Sequence, residues 1–529
     1  MATNLPELRR HIAQYLDFDT LKAFSVVCKA WYLDARQILW SCFKCRVRQQ
    51  CPASPEEYTL WLDTIRKNAI SFRHICYVEY REPLAPEIRD ILLGQCHSVV
   101  SIRMDISARH FQGPFCHWEE TLRPLIEQNR ATMRYLELHW NEYLPMTFLP
   151  GLLASLPHLR SFELFTNPMM VENVFPILDA CPSSLERLAL HIPPTEGITL
   201  DEEDSVNHPD YTSIPPIATP LRLKYFSMPY FDIQGSMEEI LSRLAGHSLQ
   251  EFRIDAAYCL QISSTVRDAL WRLTSLHMKD LQSGAERALP GILEAIHPHQ
   301  LRRVIVDNMT RECIAKLIEM QHQSLETLNV QLGNGHTGGL ADILATCGRL
   351  KRLTFSGQPF VNIQTLIDPQ KPWVCTELEV FEGRFGLCLP GDYRDLDRLG
   401  FNKSVDVKTS RRIEDQFMHR LGQLTNLRCL AQNISSSSAV YQQLQHDGMK
   451  QRTVEWSLAS GLEHLHGLVN LRTFKVLQKG PRKWIGVPEM MFIKQHWHSL
   501  KEMVCDDVGD IAVQEWLAAE WPELKASKE

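Results

Sequence analysis

The chain has 529 residues, more than one ordinary hydrophobic core organises, so it is either several globular domains or a small domain joined to an extended repeat array. Apolar residues make up 44% and charged residues 22%, the balance of a folded chain rather than a disordered one. A formal net charge of -7, with no basic run, excludes a nucleic-acid binder that works through bulk positive charge.

The opening segment, MATNLPELRRHIAQYL, is broken by Arg9, Arg10 and His11 and lacks the apolar stretch of a secretory signal. No stretch approaches the roughly 20 apolar residues of a bilayer-crossing helix, so no membrane contact is expected. The 15 cysteines are scattered and odd in number. Without a secretory signal they are expected to be reduced, in the cytoplasm or the nucleus. The N-x-S/T matches at Asn402 and Asn433 then carry no weight.

Leu8, Ile12 and Leu16 recur at helical spacing, and so do Leu21, Phe24, Val27, Cys28 and Trp31, with Asp19 placed to cap the second helix. A third short helix is expected from Ala35 to Phe43, carrying Ile38, Leu39, Trp40 and Phe43. A unit this small cannot enclose so many large apolar side chains, so part of its surface should meet the following domain or another protein.

In that order, Leu5-Pro6-Glu7-Leu8, Ile12, Tyr15-Leu16, Leu21, Val27-Cys28-Lys29, Trp31-Tyr32 and Leu39-Trp40 resemble the F-box motif. The stretch between Pro6 and Leu8 is one residue shorter than the commonest form. The resemblance implies that residues 1–45 dock onto the Skp-type adaptor of a cullin-RING (SCF) ubiquitin ligase. It implies that Leu5, Pro6, Leu8, Ile12, Leu21, Val27, Cys28 and Trp31 supply the adaptor contact or its direct support, and that Trp40 braces the junction with the adjoining domain. A self-contained helical cap of a repeat protein is the second reading of the same residues.

Residues 46–74 read as a helical linker: Ser54 at N-cap, Pro55 at N1 and Glu57 at N3 open a helix that should reach Asn68 with Leu60, Trp61 and Ile65 packed. Residues 75–510 then repeat a template of apolar-x-x-apolar-x-apolar. Clear copies start at Leu159, Leu185, Leu249, Leu301, Leu325, Leu350, Leu471 and Leu500, and weaker ones at Ile75, Val99, Met133, Leu223, Leu273, Leu378 and Leu427. Starts at 133, 159 and 185 are 26 apart, and those at 301, 325 and 350 are 24 and 25 apart. These periods fit leucine-rich repeats of about 20–29 residues rather than longer helical-pair repeats.

Between the copies, Val174–Cys181, Met237–Leu244, Ile314–Met320, Leu340–Thr346 and Phe417–Leu424 carry helical patterns. The expected fold is therefore α/β: a three-helix F-box followed by a leucine-rich-repeat solenoid, a horseshoe with inner parallel strands and outer helices. The asparagine turn of the commonest repeat is mostly missing, so the repeats are degenerate. The Pro-rich and acidic stretch between Leu185 and Leu223 reads as a loop, and the gaps of 49 and 44 residues between Leu378, Leu427 and Leu471 hold either a hidden repeat or projecting loops. Residues 511–529 read as a C-terminal cap and tail, with Ile511, Trp516, Leu517 and Trp521 packed on the last repeat.

No arrangement of nucleophile and base stands out, so no catalytic residue, metal or cofactor is expected. Cys42-x-x-Cys45 with Cys51 lacks a second metal-binding pair, and His496-Trp497-His498 lies where polar residues are routine. Cys96, Cys181 and Cys347 occupy equivalent repeat positions, a structural slot for a small apolar group. Strand alternation places another set on the inner face: Glu137, His139, Glu163, Phe165, Arg187, His191, Arg253 and Asp255, then His277, Arg303, Asp307, Arg352, Glu382 and Lys475. The first eight are the candidate target-binding residues. With mixed signs they single out neither an acidic nor a basic partner. The expected function is a non-catalytic substrate receptor of an SCF ligase, with an unknown protein target and no nucleic acid. The alternative is a repeat scaffold unconnected with ubiquitination.

Overall fold

A computed structural model describes residues 38–46, 54–78, 85–106, 122–140, 148–166, 174–191, 221–231, 240–241, 243–244, 248–257, 264–279, 288–332, 339–357, 361–387, 403–432, 452–476, 485–505 and 510–527. The eight expected adaptor-binding positions, Leu5, Pro6, Leu8, Ile12, Leu21, Val27, Cys28 and Trp31, lie outside the described residues. So does most of the stretch between Leu185 and Leu223. The chain divides into two compact units, Met1–Leu249 and Gln250–Glu529. Among the described residues no helix is long and apolar enough to cross a membrane.

In the first unit, strands and helices alternate: β1 (Cys42–Arg46), α1 (Pro55–Asn68), β2 (His74–Val78), α2 (Pro86–Gln95), β3 (Ser101–Ile106), α3 (Arg123–Gln128), β4 (Tyr135–Trp140), α4 (Phe148–Ala154), β5 (Ser161–Thr166), α5 (Val174–Ala180), β6 (Arg187–His191) and β7 (Tyr225–Phe231). Each strand pairs in parallel with the next in the chain, from β1 to β7. Parallel neighbours need a crossover, and the helices supply it.

β1 corrects the reading of the third N-terminal helix. Helical backbone is present at Ile38 and Leu39, but Cys42 and Phe43 are already strand. Pairing with β2 satisfies backbone groups that would otherwise form a bare sheet edge. The buried Phe43 ring stacks on Phe72 at 4.9 Å, and Trp40 reaches the same ring at 6.5 Å. The Ser54 hydroxyl caps α1, accepting from the Glu57 N–H at 3.2 Å. α1 is thus the return segment between two sheet strands. It buries Leu62 and Ile65, whereas Leu60, expected to pack, is 68% exposed because it lies two residues from Leu62, on the opposite side of the helix. The copy read at Ile75 also moves: His74 pairs with Ser101, so the leading apolar residue of that repeat is the buried Phe72.

The second unit continues the pattern with β8 (Glu251–Ala257), α6 (Ser264–Leu270), β9 (Ser275–Lys279), α7 (Ala288–Ala295), β10 (Arg303–Met309), α8 (Arg311–Gln321), β11 (Thr327–Leu332), α9 (Gly339–Thr346) and β12 (Arg352–Gly357). After β13 (Val361–Asn362) and α10 (Ile363–Leu366) come β14 (Val380–Gly383), β15 (Phe385–Leu387), α11 (Lys403–Gly422), β16 (Cys429–Gln432), β17 (Arg452–Thr453) and β18 (Thr473–Val476). α12 (Val487–His496), β19 (Glu502–Cys505), α13 (Ile511–Glu520) and β20 (Lys525–Ser527) close the chain. The main sheet runs β8-β9-β10-β11-β12-β14-β16-β18-β19-β20, all parallel. A small sheet joins β13, β15 and β17.

The widened gaps after Leu378 are therefore long return segments. α11 spans 20 residues, and 3-10 turns at Leu458–Ser460 and Leu462–Gly467 precede β18. They enclose an aromatic core of Trp373, Phe381, Phe385, Phe417, Trp456, Phe474 and Trp497. The three indole N–H groups donate to Leu366 O, Gln432 Oε1 and Leu465 O, each at 2.9 Å, as burial demands. At the C-terminus, Leu517 and Trp521 are buried, but Ile511 is 72% exposed and β20 pairs with β19. The expected cap is a further helix and strand.

One backbone pattern recurs. The carbonyl of the residue just ahead of a strand accepts two successive N–H groups from the next repeat. Arg134 O accepts from Arg160 and Ser161 at 2.8 and 3.0 Å, and Glu326 O from Lys351 and Arg352 at 2.8 and 3.0 Å. With the asparagine turn mostly missing, hydroxyls one residue ahead of the leading apolar position add a second tie. Thr132, Ser184, Ser248 and Ser324 donate to the carbonyls of Val99, Leu159, Leu223 and Leu301, the leading residues of the preceding repeats, at 2.7 to 2.9 Å. Replacing the buried Ser324 by Ala should lower stability by about 1 kcal/mol, measured as a shift of the urea midpoint. An unchanged midpoint would show that this tie is idle.

Candidate functional site

Alternation along β4, β5 and β6 turns Leu136, Leu138, Phe162, Leu164, Leu188 and Leu190 into the core. It leaves Glu137, His139, Glu163, Phe165, Arg187 and His191 half-buried on the other face. Register then sets them side by side: Glu137 opposite Glu163, His139 opposite Phe165, and Phe165 opposite His191. Six of the eight candidate target-binding residues thus form one cluster. Arg253 and Asp255 belong to β8 of the second unit, where Arg253 faces His277 in register, and the Asp255 side chain lies outside the described residues.

The centre of the cluster is a stack of three flat rings. His139 and Phe165 lie 3.9 Å apart, centroid to centroid, with planes 15° from parallel, and Phe165 and His191 lie 4.0 Å apart at 12°. Nε2 of His139 donates to Glu137 Oε1 at 2.6 Å, which fixes the outer ring. Arg103 Nε approaches the same carboxylate at 3.3 Å. Beside the stack, Arg187 Nε donates to Glu163 Oε1 at 2.8 Å, and its guanidinium carbon lies 3.6 Å from the centre of the Tyr225 ring. The surface therefore offers a broad aromatic edge framed by two Arg–Glu pairs, a pattern suited to gripping a polypeptide through ring contacts and charge-assisted hydrogen bonds.

Arg103 and Tyr225 join this candidate surface, and sequence reasoning passed over them. Both sit in weak template copies, those starting at Val99 and Leu223, at positions that alternation assigns to the same face. Applying the face rule to weak copies as well as clear ones would have found them. In the second unit the corresponding face carries Arg352, Glu382, Cys429, Lys475 and Glu502, with Lys475 Nζ 3.1 Å from Glu502. Burial, with the nearby Glu382 carboxylate, raises the Cys429 thiol above its ordinary value.

No family model and no curated protein matches this chain. Among solved structures, one described as the crystal structure of a TLR13–ssRNA13 complex aligns at a TM-score of 0.34 and 12% identity, over 88% of this chain and 63% of the other. The chain thus spans less than two thirds of that protein's length. The leucine-rich-repeat character of the fold rests on the strand ladder itself.

The hydrogen bond from His139, helped by Arg103 and the two imidazoles, holds the Glu137 carboxyl below the usual carboxylate range. A lowered folded pKa gives stability that is complete above the unfolded value and is lost as pH falls through the folded one. The urea-midpoint advantage of the wild type over Glu137→Gln should therefore shrink from about pH 6 to about pH 3. A pH-independent difference would refute the pairing.

Burial pushes the thiols of Cys96 and Cys181 up to about 12, Cys347 to about 11 and Cys375 to about 12. The structural slot read from the sequence is therefore chemically quiet. In the native chain at about pH 8, iodoacetamide should modify the exposed Cys42 and spare these four until the chain is unfolded, as read by peptide mass spectrometry. Native labelling of Cys347 would contradict the packing.

Proposed function

We propose that the chain is a non-catalytic, substrate-recognition subunit of an SCF ubiquitin ligase. Residues 1–45 take the Skp-type adaptor, and the ring-stack face takes a protein target. Transfer chemistry belongs to the bound partners. The receptor contributes proximity, raising the concentration of target lysines near the activated ubiquitin.

The ordered F-box motif at Leu5 to Trp40 carries this reading, and the way its end meets the sheet supports it. Trp40 and Phe43 share the Phe72 ring, and the Ser41 carbonyl accepts from the Arg73 and His74 N–H groups, both at 2.8 Å. The last motif residues are thus built into the first repeat, an arrangement that would hold a target at a set distance from the adaptor. A face of paired charges around stacked rings suits a protein target better than the phosphate backbone of a nucleic acid, which calls for clustered positive charge.

Capture of the full chain by an immobilised Skp-type adaptor tests the proposal. The double variant Pro6→Ala, Trp31→Ala should bind at least about tenfold more weakly, since buried aromatic anchors dominate such interfaces. Its far-UV circular dichroism should stay unchanged. Capture undiminished by the double variant would sink the adaptor assignment.

A further inference from the structure

The second unit holds a cavity of about 510 Å³ at the turns that lead into β10, β11 and β12, where His299, Arg302, His322, Ser324, Glu326 and Arg349 contribute to the lining. It lies off the strand face, and neither the ring stack nor the adaptor reading uses it. We propose that this cavity binds a phosphomonoester, a dianion held between the guanidinium groups of Arg302 and Arg349 and the imidazoles of His299 and His322.

Two observations carry this. First, the charge is positive and available. Arg349 is exposed and has no ion-pair partner among the described residues. The one carboxylate in the lining, Glu326, is already engaged by Lys351 Nζ at 3.2 Å and lies 3.8 Å from Arg302. Guanidinium forks match phosphate oxygens in pairs, which a single ammonium group cannot do.

Second, the backbone is strained at the rim. His299 has φ +59°, and it is the non-glycine residue with positive φ among the described residues. A side chain held in the left-handed region is uncommon and marks positions where its presence matters. The His299 ring meets His322 edge-on at 5.3 Å. His322 Nδ1 donates to Ile318 O at 3.0 Å, so its Nε2 donates to a phosphate oxygen in the imidazolium form, which an adjacent dianion favours.

Isothermal calorimetry on the full chain, with O-phosphoserine as the probe and chloride matching the ionic strength, tests the site. Saturable binding is expected, weakened about tenfold by Arg349→Gln, the loss of one charge-assisted contact. His299→Gly should weaken binding several-fold while leaving the unfolding temperature unchanged or higher, since glycine accepts this backbone freely. A phosphoserine peptide binding more tightly than O-phosphoserine would identify the source as a phosphorylated protein, and equal binding a free phosphorylated metabolite. Heat no larger than with chloride, or binding that both variants leave intact, overturns the proposal. Capture by the Skp-type adaptor stays unaffected by these variants, so this site and the adaptor reading fail separately.

Discussion

The constraint on which the rest depends is the carbonyl that accepts twice. From Ser41 to Glu186 in the first unit, and from Gln250 to Arg472 in the second, the residue ahead of each strand takes both N–H groups that open the next. The last step is looser, with Lys501 O accepting from Lys525 alone at 3.1 Å. Using both lone pairs of one oxygen fixes the phase of adjacent repeats at a single point. A slip of one residue would forfeit both bonds and turn every leucine of the strand out of the core.

Fixed phase explains why side chains separated by a whole repeat behave as neighbours. In-register strands lie about 4.8 Å apart, close to the spacing at which flat rings stack. His139, Phe165 and His191 occupy one row, and their stacking is a consequence of that register. The residues ahead of the strands form a second row, where Arg302, Glu326 and Lys351 alternate in sign with separations of 3.8 and 3.2 Å. Glu379 and Arg428 continue the alternation at 3.3 Å, and Glu186 and Lys224 meet at 2.9 Å in the first unit. Exposed pairs of this kind add little stability singly. From Arg302 to Arg428 opposite signs meet in the native phase, whereas Arg134 and Arg160, and Arg428, Arg472 and Lys501, are successive like charges in the same row.

This division also explains what the sequence discloses. The leading leucines at 159, 185, 301, 325 and 350 are all buried, and each opens a strand two residues on, because the template records which side chains enter the core. The face rule comes from the same alternation, so Glu137, His139, Glu163, Phe165, Arg187 and His191 were legible as a surface. Their convergence into rings and ion pairs was not, since it depends on pairing between strands 26 residues apart. β1 escaped because Cys42–Arg46 is a short apolar-polar run next to a helical pattern, and what makes it a strand is the free edge of β2. Leu60 misled because composition records that a residue is apolar, whereas exposure depends on which side of α1 it occupies. The cavity at His299 and Arg349 leaves no periodic signal, because turn residues of three successive repeats line it together.

Each repeat in such an array is held chiefly by its two neighbours, so a site is only as durable as the few repeats that build it. The ring stack needs β4, β5 and β6 in phase and nothing farther along the chain. Ser184, which ties the repeat of β6 to that of β5 through the carbonyls of Pro157 and Leu159, both at 2.8 Å, therefore supports the ring-stack face without touching it. Local opening of that one step would separate Phe165 from His191 while the remaining ladder stayed closed. The integrity of a surface on a solenoid is thereby coupled to local rather than global stability, and hydroxyls that tie one repeat to the next become as consequential for the surface as the charges displayed on it.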